Sequence, residues 1–222
     1  MLLFLFGAAA RAASQPPVLL VVGDSLSAAY KIPVDKGWVH LLSERLAHKG
    51  YDYRVVNASI PGDTTAGGRA RLPGELKRNK PAIVVIELGG NDGLQGLAPA
   101  QMQSNLSRMV TLAKKAGAKV LLVGVRMPPN YGAAYVERFE AVYRQVAKAE
   151  NVPLVPELMK GIVTNPELMQ ERGIHPRAEA EPKLLDNVWP ALEPLLAKPT
   201  LQPAGKRPLP APSVGSAPRG TN

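Results

Sequence analysis

Val18-Leu19-Leu20-Val21-Val22-Gly23-Asp24-Ser25-Leu26-Ser27 is the stretch on which the reading of this chain turns. Five consecutive Val and Leu residues break at a glycine, and a serine follows two residues later. An apolar run of this length, without polar alternation, reads as a strand buried on both faces. That implies a parallel sheet with helices on either side. Ligands of such open sheets bind in the crevice beyond the carboxyl ends of the strands. Ser25 then stands at the mouth of a central strand, with Gly23 permitting a sharp turn and Asp24 available to brace it. A serine so placed is a nucleophile if a base reaches it; taken alone, the stretch reads equally well as a turn whose serine caps a helix. The dinucleotide fingerprint G-x-G-x-x-G is absent, and so is the G-x-S-x-G turn.

Downstream, strand and helix patterns alternate. Apolar positions Trp38, Leu41, Leu42 and Leu46 predict a helix over 35–50, stopped by a glycine, with His40 and His48 off its apolar stripe. Residues 53–57 read as a second strand. A loop follows, then a helix over 63–79 with Asp63 or Thr64 as its cap. The run 82–88 is a third strand ending in Gly89-Gly90-Asn91-Asp92. Met102, Leu106, Met109, Val110 and Ala113 fall on one face of a helix over 100–116, where the methionines are core filler. A fourth strand covers 119–125, a helix 133–150, a short fifth strand 152–155 and a last helix 178–196. This rhythm predicts a doubly wound α/β sandwich on a mostly parallel, five-stranded sheet.

The 222 residues suit one domain. The absence of cysteine excludes disulfides, thiolate catalysis and thiolate metal sites. The three histidines are too far apart in sequence for a histidine-rich metal site. The net charge of +9 resembles a nucleic-acid signal, but Lys198, Lys206, Arg207 and Arg219 lie in the last 25 residues, where no acid occurs. Without them the charge is +5. The remaining cations are scattered rather than gathered in a stripe, and aromatics are sparse, so no nucleic-acid partner is expected. Residues 1–13 are apolar, too short to span a membrane, and contain Ala10-Arg11-Ala12, an A-x-A site; they read as a secretory leader lacking its basic start. Residues 14–197 read as the domain. Residues 198–222, proline-rich and without apolar period, read as a disordered basic tail.

Ser25, Gly62, Asn91 and His175 all fall after predicted strands or before the last helix. Each has an ordinary explanation alone; together they suit acyl transfer. Ser25 supplies the attacking oxygen and His175 a base with a pKa near neutrality. The N–H groups of Ser25 and Gly62 and the Asn91 amide supply three donors for an oxyanion. G-D-S-L at 23–26, N-A-S-I-x-G-D-T at 57–64, G-G-N-D at 89–92 and G-I-H-P at 173–176 resemble the four blocks of the SGNH, or GDSL, hydrolase superfamily. E-L-G-G-N-D-G-L and the P-x-N-Y-G loop are similar to its bacterial periplasmic thioesterase, lysophospholipase and arylesterase branch. The resemblance covers residues 18–195. It implies a three-layer, flavodoxin-like α/β/α sandwich, Ser25 as nucleophile, His175 as base, and Ser25, Gly62 and Asn91 as the oxyanion hole. It further implies no metal or cofactor, and small-molecule esters and thioesters of medium to long acyl chains as substrates; a monomer, exported to the periplasm or beyond, is expected. Gly93, Leu94, Gln95, Gly96 and Leu97 stand where relatives place a loop over the acyl chain.

One departure matters. The superfamily pattern is D-x-x-H, yet here the acid's position is Arg172, preceded by Glu171. A guanidinium cannot accept the Nδ1–H hydrogen bond, and its charge disfavours the imidazolium formed in catalysis. Three readings therefore compete: an esterase/thioesterase with a backbone carbonyl or Glu171 orienting His175; a carbohydrate O-acetyl esterase of the same superfamily; and a weakly active or non-catalytic lipid-binding relative.

Overall fold

The computed structural model describes residues 15–171 and 173–197. The leader, the tail and Arg172 lie outside the described residues. The elements run β1 (Val18–Gly23), α1 (Trp38–His48), β2 (Arg54–Asn57), α2 (Thr65–Asn79), β3 (Ile83–Glu87), α3 (Gly90–Leu94), α4 (Pro99–Lys115), β4 (Lys119–Val123), α5 (Ala133–Glu150), β5 (Leu154–Val155) and α6 (Glu181–Leu192). The five strands form one sheet of order β2-β1-β3-β4-β5, and every pairing is parallel. Every residue of β1 and β3 is buried, as a strand covered on both faces requires. α1 packs with α6 on one face, while α2, α4 and α5 pack in succession on the other, giving three layers. Among the described residues, no helix is long and apolar enough to cross a membrane.

Several boundaries depart from the sequence pattern, each for a local reason. The helix expected from Asp35 starts at Trp38, because a 3-10 turn at Val34–Lys36 precedes it. Its cap comes from far away: the Glu181 carboxylate accepts the Trp38 N–H at 2.7 Å. α2 starts at Thr65, with the Thr64 hydroxyl accepting from Gly67 N. β5 is only two residues long, since Pro153 and Pro156 flank it and proline cannot donate to a ladder. The single last helix expected over 178–196 is broken into a 3-10 turn, α6 and a second 3-10 turn, in a segment carrying Pro182, Pro190 and Pro194. The helix-cap alternative for Ser25 does not hold: residues 25–30 form turns, and the first α-helix begins at Trp38.

Parallel pairing puts all five carboxyl ends at one edge of the sheet. The chain leaves β1 toward β2 on one side and reaches β3 on the other, so the switch of direction falls there. Register sets Gly23 opposite Glu87. A β-carbon on Gly23 would come within 2.7 Å of Ser27 Cβ and 2.8 Å of Glu87 Oε2, so only glycine fits.

Candidate active site

Ser25 and His175 are 150 residues apart in sequence, and the fold brings Ser25 Oγ to 2.9 Å from His175 Nε2. Asp24 shapes the serine turn by accepting the Leu26 N–H on Oδ1 at 3.0 Å. Among the described residues, neither Ser25 N nor Gly62 N donates to any acceptor in the chain. Gly62 sits in the Ile60-Pro61-Gly62-Asp63 turn, with φ +81° and Asp63 N donating to Ile60 O at 3.1 Å. Pro at the second and Gly at the third position, with positive φ, are what a type II turn requires. Ile60 N donates to Gly23 O at 3.0 Å, so this turn is fastened to the end of β1. Asn91, in α3, donates from Nδ2 to Asp63 O at 2.9 Å and to Asp24 Oδ2 at 3.2 Å. The serine, glycine and asparagine segments are thereby joined.

A layer of polar groups joins these segments through contacts that the sequence did not foretell. Arg71 of α2 donates to Asp63 Oδ2 at 2.7 Å, Ala58 O at 2.5 Å and Gly23 O at 3.3 Å. Asp92 accepts from Thr65 N at 2.8 Å and from the Thr65 hydroxyl, which also accepts from Asn105 Nδ2. Glu87 Oε2 accepts from Ser27 Oγ at 2.7 Å and more loosely from Asp24 N. Burial pushes the Asp24 carboxyl up to about 7, an effect partly offset by the Leu26 N–H. Burial, reinforced by Asp24, holds the Glu87 carboxyl well above the usual carboxylate range, an effect partly offset by the Ser27 hydroxyl and the Asp24 N–H. The one available signal was Glu87 itself, an acid ending a strand buried on both faces.

His175 lies on a hairpin in which Met169 pairs with Pro176, and Gln170 N donates to His175 O at 2.9 Å. Gly173 N closes the tip by donating to Gln170 O, and Glu171 is exposed there. Among the described residues, the imidazole's hydrogen bond is the one to Ser25. Burial, and then the Lys31 cation, hold its pKa below the ordinary value, which favours the neutral ring that accepts a proton.

Ser25 and Asn91 open on a cavity of about 440 Å³ lined by Leu26, Leu94, Val125, Met127, Val136 and Met159, among others. Of the stretch 93–97, Leu94 lines this cavity, while Gly93 is buried with Met127 2.3 Å from where its β-carbon would stand. Gln95 and Gly96 are exposed. Tyr135 donates to Leu97 O at 3.0 Å and to Gly93 O at 3.4 Å, and Tyr131 to Leu94 O at 3.2 Å. These tethers from the following loop and α5 were not foreseen. Among the described residues, no cluster of His, Asp and Glu could hold a metal ion.

The fold and the site define a doubly wound α/β protein with a serine–histidine pair at its switch point, the constellation of serine acyl hydrolases. The chain belongs to the GDSL-like lipase/acylhydrolase family, whose model matches residues 21–181. It is 60% identical over 178 residues to the esterase TesA of Pseudomonas aeruginosa, covering 80% of this chain and 89% of that one. It is 43% identical over 184 residues to the thioesterase 1/protease 1/lysophospholipase L1 of Escherichia coli K12, covering 83% and 87%. Among solved structures, the psychrotrophic esterase EstA of Pseudoalteromonas sp., inhibited by monoethylphosphonate, superposes with a TM-score of 0.76 at 36% identity, covering 80% and 97%.

Proposed function

We propose that this chain hydrolyses carboxylic esters and thioesters of acyl chains through an acyl-enzyme on Ser25. The observation carrying this reading is the 2.9 Å contact between Ser25 Oγ and His175 Nε2 at the mouth of an apolar cavity. Ser25 Oγ attacks the acyl carbon as its proton passes to His175 Nε2. The charge that develops on the carbonyl oxygen is met by the N–H groups of Ser25 and Gly62 and by the Asn91 amide. Collapse expels the alcohol or thiol, which takes the proton from His175; water, deprotonated by the same ring, then releases the acid. The acyl chain lies in the cavity against Leu94 and its neighbours.

The relatives named as esterase and as thioesterase/lysophospholipase support this substrate range. The apolar lining favours it over an acetylated sugar, which needs polar partners. The test is an acyl-ester and thioester series from acetyl to dodecanoyl, with acetylated sugar alongside and Ser25→Ala as control. Octanoyl esters should be cleaved faster than acetylated sugar, and Ser25→Ala should abolish turnover. The reverse preference would make the chain a carbohydrate esterase. We further infer a periplasmic or secreted monomer in which residues 1–13 are removed as a leader and residues 198–222 lie outside the folded domain. N-terminal sequencing and light scattering of the purified protein check both.

A further inference from the structure

In this chain the residue that the superfamily pattern reserves for an acid is Arg172, so something other than a carboxylate at that position must keep the His175 ring aimed at Ser25. Among the described residues, one aromatic ring pairs with the imidazole. The Tyr30 ring packs on the imidazole with centroids 4.7 Å apart and planes tilted by 44°. Tyr30 is held there from two directions. Gln170, on the histidine's own hairpin, donates from Nε2 to Tyr30 O at 2.9 Å and to Pro176 O at 2.8 Å, tying the tyrosine backbone to the residue after His175.

The second is backbone strain. Four non-glycine residues among those described have positive φ. Lys80 and Asn151 end α2 and α5, where left-handed residues are ordinary. The other two, Ala29 (φ 56°) and Lys31 (φ 58°), flank Tyr30 and terminate no helix. Side chains rarely adopt this conformation unless the surroundings impose it, and such strain gathers where geometry serves function.

We propose that Tyr30 is a positioning residue that holds the His175 imidazole toward Ser25, in the place left by the missing carboxylate. This rests on the reading of Ser25 and His175 given above. A ring packed at this distance limits rotation of the imidazole. It thus supplies, without hydrogen bonding, the orientation that an acid would give.

The test is a cycle between positions 30 and 172, read as kcat and KM on an octanoyl ester. Tyr30→Leu should lower kcat at least tenfold with KM within threefold, and Tyr30→Phe, which keeps the face, should restore most of the loss. In an Arg172→Asp background, where a carboxylate can take over, the Tyr30→Leu loss should shrink to threefold or less. An equal loss in both backgrounds, or a Tyr30→Phe variant as impaired as Tyr30→Leu, would overturn the proposal. Should Tyr30→Leu fail to fold, Gln170→Leu releases the tyrosine backbone while leaving both rings. Its kcat loss must likewise shrink with Arg172→Asp, and an unchanged loss rejects the proposal. Turnover by Ser25→Ala in either background would instead refute the reading of the site itself.

Discussion

The side-chain amide of Asn91 donates to the main-chain oxygen of Asp63 at 2.9 Å, so the turn that carries Gly62 also aims Asn91. Two of the three candidate oxyanion donors are therefore set by one contact between the loops after β2 and β3. Asn91→Ala should lower kcat by about 10²–10³ with little change in KM, the usual cost of one such donor. Steady-state kinetics on an octanoyl ester decide it: a loss confined to KM would remove Asn91 from the oxyanion hole.

Arg71 fastens Asp63, Ala58 and Gly23 at once. Arg71→Met leaves a carboxylate and two carbonyls short of a charged donor, and leaving buried polar groups unpaired costs about 1–3 kcal/mol. Urea melts should show that loss. The rate of Ser25 labelling by a fluorophosphonate should fall in the folded variant, because the loops carrying Ser25 and Gly62 lose their common register. Unchanged labelling would confine Arg71 to stability.

Lys31 lies with Nζ 5.3 Å from the Tyr30 ring centroid, and it lowers the His175 pKa after the larger effect of burial. Lys31→Met removes a charge that opposes the imidazolium, so the His175 pKa should rise. Less of the ring is then neutral at mildly acid pH, and the acidic limb of kcat/KM against pH should move to higher pH. A limb that stays in place, or moves down, contradicts the assignment of that limb to His175.

Glu181 caps α1 through Trp38 N, yet burial pushes its carboxyl up to about 7 from 4.5. A raised folded pKa means that the unfolded chain releases its proton first. The contribution is present below pH 4.5 and is lost as pH rises toward 7, on the order of 2–4 kcal/mol at 1.36 kcal/mol per unit. Glu181→Gln keeps an acceptor for Trp38 and cannot ionise. Its Tm relative to the parent should therefore be higher at pH 8 than at pH 4.5; an equal difference at both would refute the linkage.

Glu171 is exposed at the hairpin tip, and among the described residues the hydrogen bond of the His175 ring goes to Ser25. Glu171→Gln should change kcat less than tenfold, whereas Arg172→Asp, by restoring the acid of the superfamily pattern, should raise it. Loss of turnover in a folded Glu171→Gln protein would make Glu171 the acid.

The order of strands and helices was legible because burial dictates it residue by residue. Val18–Val22 and Ile83–Ile86 have no polar alternation, which only a strand covered on both faces tolerates. The stripe Met102, Leu106, Met109, Val110 and Ala113 is buried along α4 as its spacing requires. Ser25, Gly62, Asn91 and His175 were legible as a set, each in a short motif tied to a strand end or the loop before the last helix. Proline altered the edges: Pro153 and Pro156 shortened β5, and prolines in the closing segment divided its helix. What no local pattern carried were contacts between segments distant in sequence. Glu181 capping Trp38, Arg71 reaching Gly23, and Tyr30 packing on His175 leave no period or spacing, because their partners are backbone atoms or rings more than 40 residues away. Burial pattern is a property of one element at a time, so the sequence by itself determined the layers and the motifs at their edge. Where two loops meet depends on every element between them, so only the tertiary structure decided what holds the serine, the asparagine and the histidine in place.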